Sequence, residues 1–130
     1  MVKDFSGIKT KPYIYNPLYT ALNNGGVQGA FNKYYDIKKN HSDEYSYFEI
    51  GLYWIGDYLL KKNRIKESLE FLNFAVQEYP QSTYIYTTLG EAYFKNGDKQ
   101  LAVDSFKKAL ESDPTNEEAE IKLAKLQNKN

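Results

Sequence analysis

From about residue 17 onward, apolar residues recur every three or four positions, the spacing that lines side chains along one face of a helix. The strongest stretch runs from Glu49 to Pro114 and states one pattern twice. Leu52, Ile55, Gly56 and Leu59 return as Tyr86, Leu89, Gly90 and Tyr93, and Ser68, Leu72 and Ala75 return as Ala102, Phe106 and Ala109. Pro80 and Pro114 close the two copies in the same register. Size and polarity persist at these positions while the others drift, so the repeat is one of packing. Each copy predicts a pair of helices. In the first, Ser46-x-x-Glu49 has the form of a capping box, the helix runs to about Lys61, and Asn63 ends it in a left-handed turn. Its second helix spans Ile65 to Tyr79 and stops before Pro80. In the second copy, Ser82 caps a helix from Thr83 to Lys95 that stops at Asn96-Gly97, and Asp98 caps another that reaches Ser112.

The flanks follow the same grammar less strictly. Residues 1–15 show no helical period; Pro12 and the alternation Tyr13-Ile14-Tyr15 predict an irregular, extended arm, with a short strand there lacking an obvious mate. Asn16-Pro17 reads as an N-cap followed by proline at the first helical position, opening a short helix that stops at Asn24-Gly25-Gly26. A second helix, Val27 to Lys39, carries Val27, Ala30, Phe31, Tyr34, Tyr35 and Ile37 on its apolar side. Aligning Ala30 with Ser68 and Ala102 makes residues 16–40 a degenerate copy, with His41-Ser42-Asp43-Glu44 absorbing the extra residues as a loop. At the other end, Thr115-x-x-Glu118 suggests a capping box opening a last helix to about Gln127. There Ala119, Leu123 and Leu126 would cover the preceding repeat, while Glu117, Glu118, Lys122 and Lys125 face water.

The run Tyr86-x2-Leu89-Gly90-x2-Tyr93, then Ala102-x3-Phe106 and Pro114, resembles a tetratricopeptide (TPR) repeat. The resemblance implies an all-α fold, a short array of helical hairpins in an α-α superhelix with a C-terminal capping helix. On this reading, residues 1–15 are an arm or connector and residues 16–130 the repeat domain, divided into 16–40, 49–82, 83–116 and the capping helix 117–128. Glycine inside a helix costs about 1 kcal/mol relative to alanine. At Gly56 and Gly90 the compensation would be close approach of the paired helix, with the small residues Ser68, Ala75, Ala102 and Ala109 serving the same contact. A wider set of residues resembles the helical tail of some bacterial serine hydrolases of the β-lactamase-like or esterase classes. It comprises Gly25-Gly26-Val27-Gln28-Gly29-Ala30, Tyr34, Tyr58-Leu59-Leu60 and the run from Gly90 to Lys99. That second resemblance implies an accessory module, covalently linked to an enzyme domain and serving to position or dimerise it, with Phe5 to Tyr15 as connector. No catalytic residue of such a hydrolase has a matching position here.

Composition narrows the functions. Seventeen basic side chains balance seventeen acidic ones and form no cluster, which disfavours nucleic acid, since phosphate binding rests on concentrated Lys and Arg. No cysteine is present, so disulfide and thiol chemistry are excluded. No apolar run approaches the ~18 residues of a membrane span, and the first residues, Met1-Val2-Lys3-Asp4-Phe5, lack the apolar core of a signal peptide. A chain complete as written is expected in the cytoplasm; a fragment of a hydrolase would be periplasmic or secreted. The single histidine, His41, lies in a polar loop beside Asp43 and Glu44, and a metal site would need ligands from elsewhere. Neither Gly-x-Ser-x-Gly nor Ser-x-x-Lys occurs, and Gly25-Gly26 lacks the strand and the Gly-Lys-Ser/Thr of a phosphate loop. The expectation is a non-catalytic domain without metal or cofactor, whose partner is a protein or peptide segment. The arm Phe5 to Tyr15 either packs on its own repeats or mediates a homodimer.

The TPR resemblance also implies where a partner would sit. In that family the first helix of each pair lines the concave groove. Its stripe maps to Ile50, Tyr53, Trp54, Asp57 and Lys61 in the first full repeat, and to Tyr84, Thr87, Thr88, Glu91 and Lys95 in the second. The capping helix adds Glu118, Lys122 and Lys125. Asp57 and Glu91 stand at the centre of the stripe, so a neutral or basic segment is expected there, gripped by Trp54 and the tyrosines. Trp54 could equally be covered by the N-terminal hairpin.

Overall fold

The structure, a computed structural model, describes residues 2–3 and 9–128. Phe5, where the expected connector begins, lies outside them, as do the last two residues of the expected domain. Apart from one pair of two-residue strands, every regular element among the described residues is a helix. The chain divides into two compact units, Met1–Ile55 and Gly56–Asn130.

In the first unit the arm is more ordered than its sequence suggests. Strand β1 (Val2–Lys3) pairs antiparallel with β2 (Lys9–Thr10), Val2 opposite Thr10. Further on, Tyr13 makes a parallel bridge with Ser46. The Ser46 amide donates to the Pro12 carbonyl at 3.0 Å and the Ile14 amide to the Ser46 carbonyl at 3.1 Å. The strand-like segment at Tyr13 thus has a mate after all, on the far side of a whole helix in the chain and invisible to local pattern. Ile14 is fully buried beside Gly51, where a side chain on the glycine would collide with the isoleucine. Residues 12–14 therefore pack within their own unit.

Helix α1 (Tyr15–Asn40) is broken at Gly26, whose φ of 68° and ψ of −164° are not helical. Glycine takes that conformation without the penalty a Cβ would bring, and the two arms reproduce the expected short and long helices. The predicted N-cap does not hold. The cap position is Ile14, with no side-chain hydrogen bond, and Asn16 already lies inside the first turn, where its carbonyl accepts from the Thr20 hydroxyl at 3.2 Å. Leu18, Leu22, Val27, Ala30, Tyr34 and Ile37 are buried; Phe31 is half-buried and Tyr35 exposed. The loop after α1 forms where the extra residues required one, with the Glu44 amide donating to the His41 carbonyl at 3.0 Å.

Helix α2 (Phe48–Lys61) follows Tyr47, which sits in the left-handed region at φ 60°. The predicted capping box at its start is absent: the Ser46 hydroxyl lies 3.2 Å from the Lys11 carbonyl and donates there rather than capping the helix. At the far end Asn63 adopts φ 60°, and the Arg64 amide closes the turn on the Leu59 carbonyl at 2.9 Å.

The second unit carries α3 (Ile65–Glu78), α4 (Thr83–Lys95), α5 (Lys99–Ser112) and α6 (Glu117–Gln127). Helix α4 packs against both α3 and α5, and α5 against α6. Ser82 caps α4 as expected, accepting from the Ile85 amide at 3.3 Å. Gly97 takes the turn after α4 at φ 88°, in the role that Asn63 has one repeat earlier. Asp98 stands at the cap of α5 but makes no capping bond; its carboxylate accepts from the Asn96 side chain at 2.8 Å instead. The cap of α6 is Asn116, accepting from the Ala119 amide at 3.0 Å, while the predicted cap Thr115 turns its hydroxyl to Asp113 at 2.6 Å.

The repeat is a packing repeat. Ser68, Ala75, Ala102 and Ala109 are all fully buried. A Cβ on Gly56 would meet the Leu72 side chain, and one on Gly90 the ring of Phe106, the residues that the sequence alignment pairs. Ser68 adds a hydrogen bond that alanine cannot make at the equivalent position, donating to the Gly56 carbonyl at 2.9 Å.

Candidate partner-binding surface

Helix α4 offers the most complete piece of the predicted stripe. Tyr84 is 59% exposed, Lys95 is exposed and Glu91 is half-buried. Thr87 and Thr88 are not available to a partner: both are buried, and their hydroxyls donate back to the Thr83 and Tyr84 carbonyls at 2.8 and 3.1 Å. What covers Thr87 is the start of α6. The Asn116 side-chain amide donates to Thr83 Oγ1 at 2.7 Å and to Thr87 Oγ1 at 3.0 Å, and Thr83 Oγ1 donates to the Ala109 carbonyl at 2.9 Å. One asparagine thus caps α6 and ties it to α4.

A turn further along, Lys122 reaches back from α6 to Glu91, Nζ to Oε1 at 3.4 Å, and lies 3.7 Å from Glu118. Lys122 is consequently half-buried rather than turned fully to water as expected, while Glu117, Glu118 and Lys125 are exposed. Burial pushes the Glu91 carboxyl above the ordinary carboxylate range; Lys122 opposes that shift, and Glu118 adds to it. Below this pair lies a cleft of about 310 Å³, lined by Glu91, Phe94 and Lys95 of α4, Phe106 of α5, and Lys122, Lys125 and Leu126 of α6. The expected stripe contained neither Phe94 nor the apolar floor. Of these only Phe94 left a signal in the sequence, a large apolar side chain closing a helix beside Lys95.

The acidic centre of the stripe is answered internally. Asp57, the counterpart of Glu91 in the preceding repeat, pairs with Lys61 on the next turn of its own helix at 2.7 Å. The like charge that argued against acidic partners is therefore partly neutralised at both positions.

In the first unit, Ile50 and Tyr53 are half-buried and Trp54 is 38% exposed. The arm partly covers the indole. Tyr15 stands edge-on to it with ring centres 5.8 Å apart, and Tyr13 lies at 6.2 Å and touches Tyr47 edge-on at 4.9 Å. Strongly exposed rings at Tyr13 and Tyr47 leave an aromatic patch on this unit. His41 sits 3.1 Å from Glu44 in its loop. Among the described residues no three His, Asp or Glu side chains gather to hold a metal ion, and no helix is long and apolar enough to cross a membrane.

Comparison with known proteins places this geometry. The family model of the tetratricopeptide repeat matches residues 83–116. Among solved structures, the chain is similar to the first TPR of Spaghetti (RPAP3) bound to the HSP90 peptide SRMEEVD, with a TM-score of 0.61 and 18% identity over 87% of this chain and 86% of that one. The first TPR domain of human RPAP3 gives the same figures. MamA, from residue 41 to its end, of Desulfovibrio magneticus RS-1 matches with a TM-score of 0.59 and 24% identity, covering 87% of this chain and 62% of that one. At these identities the likeness is one of fold. No curated protein matches the chain in sequence.

Proposed function

This chain carries a tetratricopeptide repeat on an all-α helical-repeat fold, and we propose that it is a non-catalytic scaffold that binds a protein or peptide segment. The observation that carries the reading is the face of α4. The repeat buries one side of that helix, yet Tyr84, Phe94 and Lys95 remain exposed on it and Lys122 stands across from Glu91. A side chain such as Phe94, 56% exposed, buries less than half of itself in the domain and fits a surface that is completed by another molecule. A solved structure of similar fold is a complex with a peptide, which supports the same class of function. The partner surface in this unit consists of Tyr84, Glu91, Lys95 and Lys122, with Asp57 as the equivalent acidic position one repeat earlier. Ile50, Tyr53 and Trp54 are the corresponding candidates in the first unit, where Trp54 shares its exposed edge with the tyrosines of the arm.

Peptide display against the purified domain tests this reading. Selected peptides should lose affinity for Tyr84→Ala and Lys95→Ala and keep it for Lys66→Ala, an exposed position on α3. Selection that enriches nothing, or binders indifferent to the α4 variants, would remove the proposal.

A further inference from the structure

The cleft between α4, α5 and α6 has a floor and a rim of different chemistry. Phe94, Phe106 and Leu126 supply apolar surface, while Lys95 comes from α4 and Lys122 and Lys125 from α6. Against these three ammonium groups the lining sets one carboxylate, Glu91, and Lys122 already holds it. Glu118 stands near Lys122 as well, outside the lining. Among the described residues no ion pair engages Lys95 or Lys125. The local balance is therefore positive around an apolar floor, on a chain whose total charge is zero.

We propose that this cleft takes an internal acidic segment of a partner protein, anchored by one large apolar side chain with carboxylate side chains on either side of it. The proposal deepens the peptide-binding reading and rests on it. Size favours a single anchor. At about 310 Å³ the cleft is at the lower end of the volumes that hold ligands, roughly 300–1,000 Å³, so it suits one side chain rather than a whole segment. Phe94 gains most from such an anchor, because more than half of it now faces water. Charge placement favours an internal segment over a chain end. The lysines reach the cleft from two helices, so carboxylates before and after the anchor both find a cation, whereas a terminal carboxylate answers one side. An incoming carboxylate can also share Lys122 with Glu91, whose burial disfavours its own charge.

The test is fluorescence anisotropy at low salt with a short labelled peptide, blocked at both ends, in which one phenylalanine is flanked on each side by two glutamates. Companion peptides replace the glutamates by glutamine or by lysine, replace the phenylalanine by alanine, or end in a free carboxylate directly after the phenylalanine. The blocked acidic peptide should bind best, and its affinity should fall with added salt. The double variant Lys95→Glu/Lys125→Glu should weaken it roughly tenfold, the size expected for two partly exposed charge contacts reversed. Phe94→Ala should weaken it comparably, and Leu101→Ala, at an exposed position on α5, should leave it unchanged. Equal binding of the glutamine or lysine peptides would overturn the proposal, as would binding confined to the free-carboxylate peptide or no binding by any of the set. The broader reading is decided separately by the display experiment: peptides selected there that depend on Tyr84 would keep it standing even if the acidic preference failed.

Discussion

A methyl group added to Gly90 would lie 2.6 Å from Cε1 of Phe106, inside the contact distance that real side chains keep. The aromatic ring of α5 rests on the backbone of α4 at this point, and Leu72 rests on Gly56 in the same way one repeat earlier. Glycine is therefore required by the approach of the helices, against its own poor helix propensity. Gly90→Ala should destabilise the domain by about 1–3 kcal/mol through overpacking. Gly25→Ala, with open space around the new methyl and no positive φ, should be neutral or slightly stabilising. Urea midpoints compare the two variants directly; equal midpoints would show that Phe106 moves aside without cost.

The register of the repeat makes a second comparison. Ala109 is fully buried, while its neighbour Lys108 is exposed, with Nζ 5.7 Å from the centre of the Tyr86 ring. Ala109→Leu should lower stability much more than Lys108→Leu, by about 1–3 kcal/mol. Matching denaturation midpoints for the pair would place Ala109 outside the helix contact.

Asn116 gathers three bonds in one side chain: it caps α6 and holds Thr83 and Thr87. Asn116→Ala should cost about 1–2 kcal/mol, the usual range for a lost N-cap together with unsatisfied partners. Amide exchange within Glu117–Gln127 should speed up more than exchange in α3. Uniform acceleration across both helices would mean that the asparagine supports the whole fold rather than the attachment of α6.

These residues also mark how far the sequence could be read. Elements set by near neighbours were legible: the Ser82 cap, the left-handed turn at Asn63, the helix stop at Asn96-Gly97, the break at Gly26, and the buried set Ser68, Ala75, Ala102 and Ala109. The misses have two physical causes: the caps expected at Asp98 and Thr115 were lost to side chains two residues away, at Asn96 and Asp113, and others were lost to partners distant in the chain. Ser46 has the form of a cap, but the Lys11 and Pro12 carbonyls take its hydroxyl. Thr87 falls on the exposed stripe by periodicity, but Asn116 folds back to cover it. Of the candidate surface, Tyr84, Glu91 and Lys95 could be placed on one face of a helix from spacing alone. The pairing of Glu91 with Lys122, and the cleft floored by Phe94, Phe106 and Leu126, required α6 to be seen against α4.

Glu91 gives the surface a pH signature. Its carboxyl is raised above the ordinary value, so the folded domain holds this proton more tightly than the unfolded chain does. Stability from this group is fully present below the unfolded carboxylate pKa and declines as pH rises through the folded one. Glu91→Gln should remove that decline, making the variant more stable relative to wild type at pH 7 than at pH 4. The opposite trend in urea midpoints would mean that the pairing with Lys122 outweighs burial.

Trp54 is the only tryptophan, and the rings of Tyr13 and Tyr15 lean against it. Deleting residues 1–15 should shift its emission to longer wavelength and lower stability, because the fully buried Ile14 leaves with the arm. Unchanged emission and an unchanged midpoint would show that the arm is not docked in solution.

Amide chemical-shift mapping decides whether a partner engages the exposed face formed by α4 and α6. The labelled domain is titrated with a peptide from the display selection, and perturbed amides are assigned by residue. The largest shifts should gather at Tyr84, Glu91, Lys95 and Lys122, with Lys66 and Lys107 on α3 and α5 left in place. Shifts centred on α3 and α5, with α4 and α6 unmoved, would contradict that engagement.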